Sequence, residues 1–210
     1  VPRRILYFAD PMCSWCWGFS PVIADIASRV AGRASVRVVV GGLRIDTDRA
    51  MDDRQKASIR HHWEEVNRAT GQPFDFGFFD RAGFVYDTEP ACRAVVAVRS
   101  LAPDATLGYF RAVQQAFYAE NRDVTAADTL ADLARGLGLD GEAFASVFAA
   151  PEVMEATRAD FTLTATIGVG GFPSVILQDD TKYAWLTQGY QPLADLAPQI
   201  DHWLSGVAAN

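Results

Sequence analysis

The sequence predicts an α/β fold in which a small sheet, built from βαβ at one end of the chain and ββα at the other, is interrupted by a large all-helical insertion. Three observations predict it. A strand, a helix and a second strand follow one another within the first 42 residues, two strands and a helix close the chain, and residues 45–168 between them carry helical periodicity without a convincing strand. Residues 1–44 and 169–210 are therefore assigned to one sheet-bearing domain, and 45–168 to a second, helical one.

Each element has its own warrant. Arg4–Ala9 is a short apolar and aromatic run ended by Asp10-Pro11, the pattern of a buried strand. Cys16, Phe19, Ile23, Ile26, Ala27 and Val30 then recur at spacings of three and four, the stripe of a helix packed on a sheet, with Gly32 as its stop. Val36–Val40 is a β-branched run closed by Gly41-Gly42; after a helical crossover it should lie parallel to the first strand. In the insertion, Phe74–Phe84 reads as an aromatic loop, and Glu89–Leu101 starts after Thr88 with Pro90 in its first turn and two apolar faces. Leu107, Phe110, Val113, Phe117 and Tyr118 form one further stripe. Leu130, Leu133 and Leu137 form another, with Thr125 as N-cap, Asp128 three residues on and Gly138 as stop. Ser174–Leu177 and Tyr183–Thr187 read as a hairpin around the polar turn Gln178–Lys182, and a last helix starting near Pro192 covers the sheet.

Half of the 210 residues are apolar and 21% are charged, which suffices for a sizeable core. The 19 basic against 26 acidic residues, a net charge of −7, exclude a polyanion-binding surface, so neither nucleic acid nor an anionic membrane is expected as a partner. Charged residues interrupt every apolar run, leaving no bilayer span. The apolar run at the start of the chain is too short for a signal sequence, and a cytoplasmic location is the expectation.

Three cysteines, Cys13, Cys16 and Cys92, are too few for a disulfide-stapled scaffold. Cys13-Ser14-Trp15-Cys16 sits where the first strand gives way to the first helix. Backbone N–H groups of a first turn, together with the helix dipole, favour negative charge there, so Cys13 is the expected nucleophile on a disulfide. Cys16, one turn further on and on the core-facing stripe, is shielded and is expected to resolve the mixed disulfide. Pro21, five residues after Cys16, interrupts the helical hydrogen bonding.

The βαβ unit, the cysteine pair at its helix start and the following proline resemble the thioredoxin fold, and the helical insertion is similar to that of the DsbA family. Pro11-Met12-Cys13-Ser14-Trp15-Cys16-Trp17-Gly18-Phe19 and Thr88-Glu89-Pro90-Ala91-Cys92-Arg93-Ala94 resemble its cytoplasmic FrnE-like branch. The resemblance implies a thioredoxin fold and thiol-disulfide exchange or isomerisation on protein, peptide or small thiol substrates. It implies no cofactor beyond the Cys13–Cys16 pair, with glutathione as a candidate co-substrate. It also implies a cis-proline loop facing the cysteines, matched by Gly168-Val169-Gly170-Gly171-Phe172-Pro173-Ser174, in which the backbone at Phe172-Pro173 pairs with an extended substrate strand. The family's buried acid, six residues before the first cysteine, is here Tyr7. Asp10 is then the candidate proton acceptor for Cys16, against its reading as a turn residue before Pro11.

Two rivals bound this reading. A glutathione-dependent transferase or isomerase resembling the kappa class would share the architecture but carries a serine at the first active position, where this chain has Cys13. A non-catalytic zinc module would need Cys92, His61 or His62 to complete four ligands; no second close-spaced pair exists, and adjacent His61 and His62 point to different sides of a helix, so no metal site is assigned. Those two and His202 are read as ordinary helix residues and Cys92 as a small buried hydrophobe. Trp15, one residue before the buried face, is expected to be partly exposed as an apolar platform for substrate. Arg44 is read as an exposed arginine, with attraction of a glutathione carboxylate as the sharper alternative.

Overall fold

The computed structural model describes residues 3–206; the outermost parts of the sheet-bearing assignment, 1–2 and 207–210, lie outside the described residues. Strand β1 (Arg3–Ala9) leads through helix α1 (Ser14–Val30) into β2 (Ala34–Val40). Helices α2 (Asp53–Thr70), α3 (Glu89–Leu101), α4 (Thr106–Tyr118), α5 (Ala127–Gly136), α6 (Gly141–Phe148) and α7 (Pro151–Ile167) follow, then β3 (Ser174–Asp179), β4 (Lys182–Gln188) and α8 (Leu193–Ser205). The sheet has the order β2-β1-β3-β4. β1 runs parallel to β2, with Tyr7 opposite Val38, and antiparallel to β3, with Tyr7 opposite Val175; β3 and β4 form an antiparallel hairpin. This is the thioredoxin-like fold with a helical insertion that the sequence predicts.

Alternation along β1 sorts its side chains between two faces. Ile5, Tyr7 and Ala9 join the large core with α1 and with Leu196, Ile200 and Leu204 of α8. Leu6 and Phe8 join Val39 and Ile176 on the opposite face, under Leu163 and Ile167 of α7. The first half of α1 is buried nearly all round, from Cys16 to Ser20, because it lies between the sheet and the insertion. Trp17 makes the join: its ring stacks on Tyr118 at 6.3 Å and its Nε1–H donates to the Pro73 carbonyl at 3.0 Å. Behind it, Trp63 of α2 centres an aromatic cluster, with Phe79 at 4.8 Å and Phe78 and Tyr118 at 5.0 Å between ring centroids.

Several local expectations need correction. The hairpin turn is two residues, Asp180-Thr181, with Asp180 at φ 54°; Gln178, Asp179 and Lys182 are strand residues whose polarity reflects the exposed end of the ladder. Thr125 does not cap α5: its hydroxyl donates to Asp123 at 2.6 Å and Ala126 holds the cap position. A capping box exists instead at Asp52 and Gln55, opening α2. Thr88 precedes α3 as read, but its hydroxyl accepts from the Arg44 N–H at 3.2 Å rather than capping its own helix. The aromatic loop contains one 3-10 turn, Phe76–Asp80. No described helix is long and apolar enough to cross a membrane.

Candidate active site

Cys13 occupies the N-cap of α1 with extended backbone, φ −94° and ψ 119°, and is held there by its N–H on the Asp10 carbonyl at 3.1 Å. No described cap hydrogen bond reaches its sulfur from the first turn. In this dithiol state the thiol turns the other way, donating to the Phe172 carbonyl at 3.7 Å. The expected amide donors of the first turn are therefore not seen on the Cys13 sulfur, which faces the Phe172 carbonyl instead. Cys16 lies one turn behind, without solvent exposure and within hydrogen-bonding reach of Cys13. Burial first, then the neighbouring Cys13, push the Cys16 thiol well above its ordinary range, and the Asp10 backbone N–H pulls partly against them.

The loop before β3 brings a third component. The Phe172–Pro173 peptide bond is cis, and Pro173 is buried while Gly170 and Gly171 are exposed. The Phe172 ring lies flat against Gly41 at the end of β2, where any β-carbon would overlap it. Gly189, at φ 98°, donates its N–H to the Pro173 carbonyl at 2.7 Å, which sets Tyr190 beside the cysteine motif. Tyr190 meets Trp15 at 5.8 Å and Phe19 edge-on at 6.3 Å. Half-buried Trp15, Phe172 and Tyr190 therefore sit around the Cys13 end of α1.

Asp10 is fully buried and acts as the tie between segments. Its carboxylate accepts from the Met12 N–H at 2.8 Å, the Leu43 N–H at 2.7 Å and the Cys92 thiol at 3.4 Å. Burial raises its pKa in spite of these donors. None of the three donors on the Asp10 carboxylate is Cys16; Asp10 bears on the Cys16 thiol in two opposed ways, its backbone N–H lowering and its charge raising the thiol pKa. Arg44 is half-buried, its guanidinium 5.1 Å over the Tyr86 ring, and the Tyr86 hydroxyl donates to the Met12 carbonyl at 2.6 Å. The exposed reading of Arg44 is corrected accordingly.

A family model described as the DSBA-like thioredoxin domain matches residues 4–201. The chain belongs to this family. Among solved structures of DSBA-like and similar proteins, one from Nitrosomonas europaea, provisionally named a protein disulfide isomerase, is 38% identical, with 99% of this chain and 100% of that one covered at a TM-score of 0.91. The cytosolic disulfide reductase DsbM of Pseudomonas aeruginosa is 27% identical over 97% of this chain and 96% of its own, at a TM-score of 0.77, and has also been determined with GSH. The ClpXP adapter protein SpxH of Halalkalibacterium halodurans is 22% identical over 183 residues, 85% of this chain. The chain spans about three-fifths of the length of that relative, 60%.

In this DSBA-like chain the sequence-predicted residues Cys13, Cys16, Trp15, Phe172 and Pro173 converge, with Asp10 beneath them. The histidines stand apart from them in role: His61 and His62, expected on different sides of α2, both reach Glu65, each at 3.3 Å, and are exposed. Among the described residues no group of His, Cys, Asp and Glu is arranged to hold a metal. Sequence reasoning missed Tyr190, whose only signal is its place after Gly189 at the end of the last strand, and the Tyr86 clamp on Met12, which carries no local signal.

Proposed function

We propose that this chain is a thiol-disulfide oxidoreductase in which Cys13 attacks a disulfide and Cys16 resolves the intermediate. The observation that carries the reading is the arrangement of the Cys13 sulfur at the head of a 17-residue helix, 3.7 Å from the Phe172 carbonyl, with Cys16 shielded one turn behind. The Cys13 thiolate attacks one sulfur of the substrate disulfide; the Cys13–substrate bond forms, the substrate S–S bond breaks, and one substrate thiolate leaves and takes a proton from solvent. The Cys16 thiolate then attacks the Cys13 sulfur, closing the Cys13–Cys16 disulfide and releasing the second substrate thiol. Two molecules of glutathione return the pair to dithiols, leaving as glutathione disulfide, so no further cofactor enters.

An extended segment of a disulfide-containing protein or peptide would lie along the Phe172 backbone, with Trp15 and Tyr190 receiving its apolar side chains. Glutathione as electron partner, net reduction, and a cytosolic location rest on the likeness to the DsbM reductase. Isomerisation rests on the likeness to the Nitrosomonas protein.

The test is reduction of a model peptide disulfide by glutathione with Cys13→Ser and Cys16→Ser variants. The expected outcome is loss of turnover in the first and a Cys13-linked mixed disulfide, visible by mass, in the second. Turnover retained by Cys13→Ser would refute the reading.

A further inference from the structure

We infer that the Tyr7 hydroxyl is a hydrogen-bond donor held for the Cys16 thiolate, and that it thereby sets the rate at which the mixed disulfide on Cys13 is resolved. Tyr7 lies mid-way along the central strand, between Val38 and Val175, and has no solvent exposure. Phe19 of α1 at 5.9 Å and Phe110 of α4, edge-on at 5.8 Å, fix its ring. Its hydroxyl, like that of Tyr118, has no nitrogen or oxygen partner, whereas the buried hydroxyls of Tyr86 and Tyr109 each donate to a carbonyl; what sets Tyr7 apart is that the Cys16 sulfur lies within side-chain hydrogen-bonding reach. The groups that bear on it are the Cys16 and Cys13 sulfurs.

A thiol sulfur is a weak acceptor and a thiolate a strong one, so the orphaned donor is satisfied when Cys16 loses its proton. Burial and the two cysteines push the Tyr7 hydroxyl well above its ordinary value, which keeps its proton in place. It can donate a hydrogen bond and cannot act as a base. The other titratable groups bearing on Cys16 are Cys13 and Asp10; the Asp10 charge opposes the thiolate while its backbone N–H favours it. With Asp10 divided in this way, Tyr7 supplies the side-chain donor. The Cys16 thiolate, held by Tyr7, attacks the Cys13 sulfur; the Cys13–Cys16 bond forms and the Cys13–substrate bond breaks, and the proton given up by Cys16 is balanced by the one the departing thiolate takes up. In the reverse direction, a glutathione thiolate attacking Cys13 expels Cys16 as a thiolate into the same hydrogen bond.

This inference rests on the resolving role proposed for Cys16. A single-turnover reaction of the full chain with an aromatic disulfide that releases a coloured thiolate separates the two: the first release reports attack by Cys13 and the second reports resolution by Cys16. Tyr7→Phe keeps the ring and deletes the donor. Expected are an unchanged first phase, a second phase slower by about tenfold, the scale of one hydrogen bond to a charged group, and a pH midpoint of that second phase moved upward. Phe110→Leu, which loosens the packing around the Tyr7 ring but keeps the hydroxyl, is expected to leave the ratio of the phases unchanged. Unchanged kinetics in Tyr7→Phe, equal slowing of both phases, or an equal second-phase loss in Phe110→Leu would overturn the inference. If Cys16→Ser still shows the second release, the resolving role itself fails, which is a separate result.

Discussion

Gly41 and Asp10 show how single residues position the cysteine motif. The Phe172 ring occupies the space a side chain at Gly41 would fill, so the Gly168–Pro173 loop reaches Cys13 only because glycine follows β2. Gly41→Ala should drive the ring away, cost roughly 1–3 kcal/mol of stability as an overpacked contact, and lower kcat/KM for disulfide reduction. Urea unfolding and steady-state kinetics check both, and unchanged kcat/KM would separate the loop's position from the chemistry. Asp10→Asn leaves at least one of the Met12 and Leu43 amides facing an NH2 group, and should cost about 1–3 kcal/mol at neutral pH. Burial raises the folded pKa of Asp10 above the unfolded 3.8, so the folded state holds the proton more tightly. Between that value and the raised one, the native protein gains stability from this group as pH falls. The gap between native protein and Asp10→Asn should therefore widen on acidification through that window; urea midpoints across pH would show it, and a narrowing gap would reverse the assignment. Asp10 was legible as a chemical candidate because it precedes Cys13 by three residues. Its partners were not, since Leu43 and Cys92 come from a loop and a helix far along the chain.

At the scale of elements, α1 is pressed against α2, and the contact turns on Gly18. A β-carbon there would approach Thr70 Cγ2 and Val66 Cγ1 to 2.9 Å, and both neighbours are β-branched and stiff. Helix propensity favours Gly→Ala by about 1 kcal/mol, but crowding of this kind costs roughly 1–3 kcal/mol, so Gly18→Ala should destabilise. Gly108 on α4 is the control: nothing lies within 4 Å of its β-carbon position, and Gly108→Ala should stabilise by roughly 0.5–1 kcal/mol. Thermal or urea unfolding of the pair tests the argument, and the same sign in both would defeat it. The same physics decides which elements were legible. α1 and α3 were read because their buried positions are apolar at helical spacing. α7 was not, because Thr157, Asp160 and Thr164 share its buried face with Val153, and polar residues at that spacing resemble solvent-facing ones.

The polar face of α7 also matters for the whole molecule. Asp160, almost fully buried, pairs with Arg99 of α3 at 2.6 Å and Arg37 of β2 at 3.6 Å, and accepts from the Val40 N–H at 3.1 Å, so one carboxylate joins the insertion to the sheet. On the other side of the sheet, the main core runs without interruption from Ile5, Tyr7 and Val175 through Phe19 and Trp17 to Trp63, Phe117 and Leu130. The two segments assigned from the sequence as separate domains share a continuous apolar interior, so unfolding of one is expected to expose buried surface of the other. Removing Asp160 leaves Arg99 with the Val38 carbonyl as its remaining described partner. Breaking a buried pair in this way costs on the order of 3–5 kcal/mol, a large share of the roughly 5–15 kcal/mol that holds a typical domain. Asp160→Ala should therefore move the whole unfolding curve to lower urea, with far-ultraviolet dichroism and tryptophan fluorescence still falling together. A helical transition separating from the fluorescence change would instead mean that the insertion is a cooperative unit of its own, with Asp160 as a clasp between two bodies.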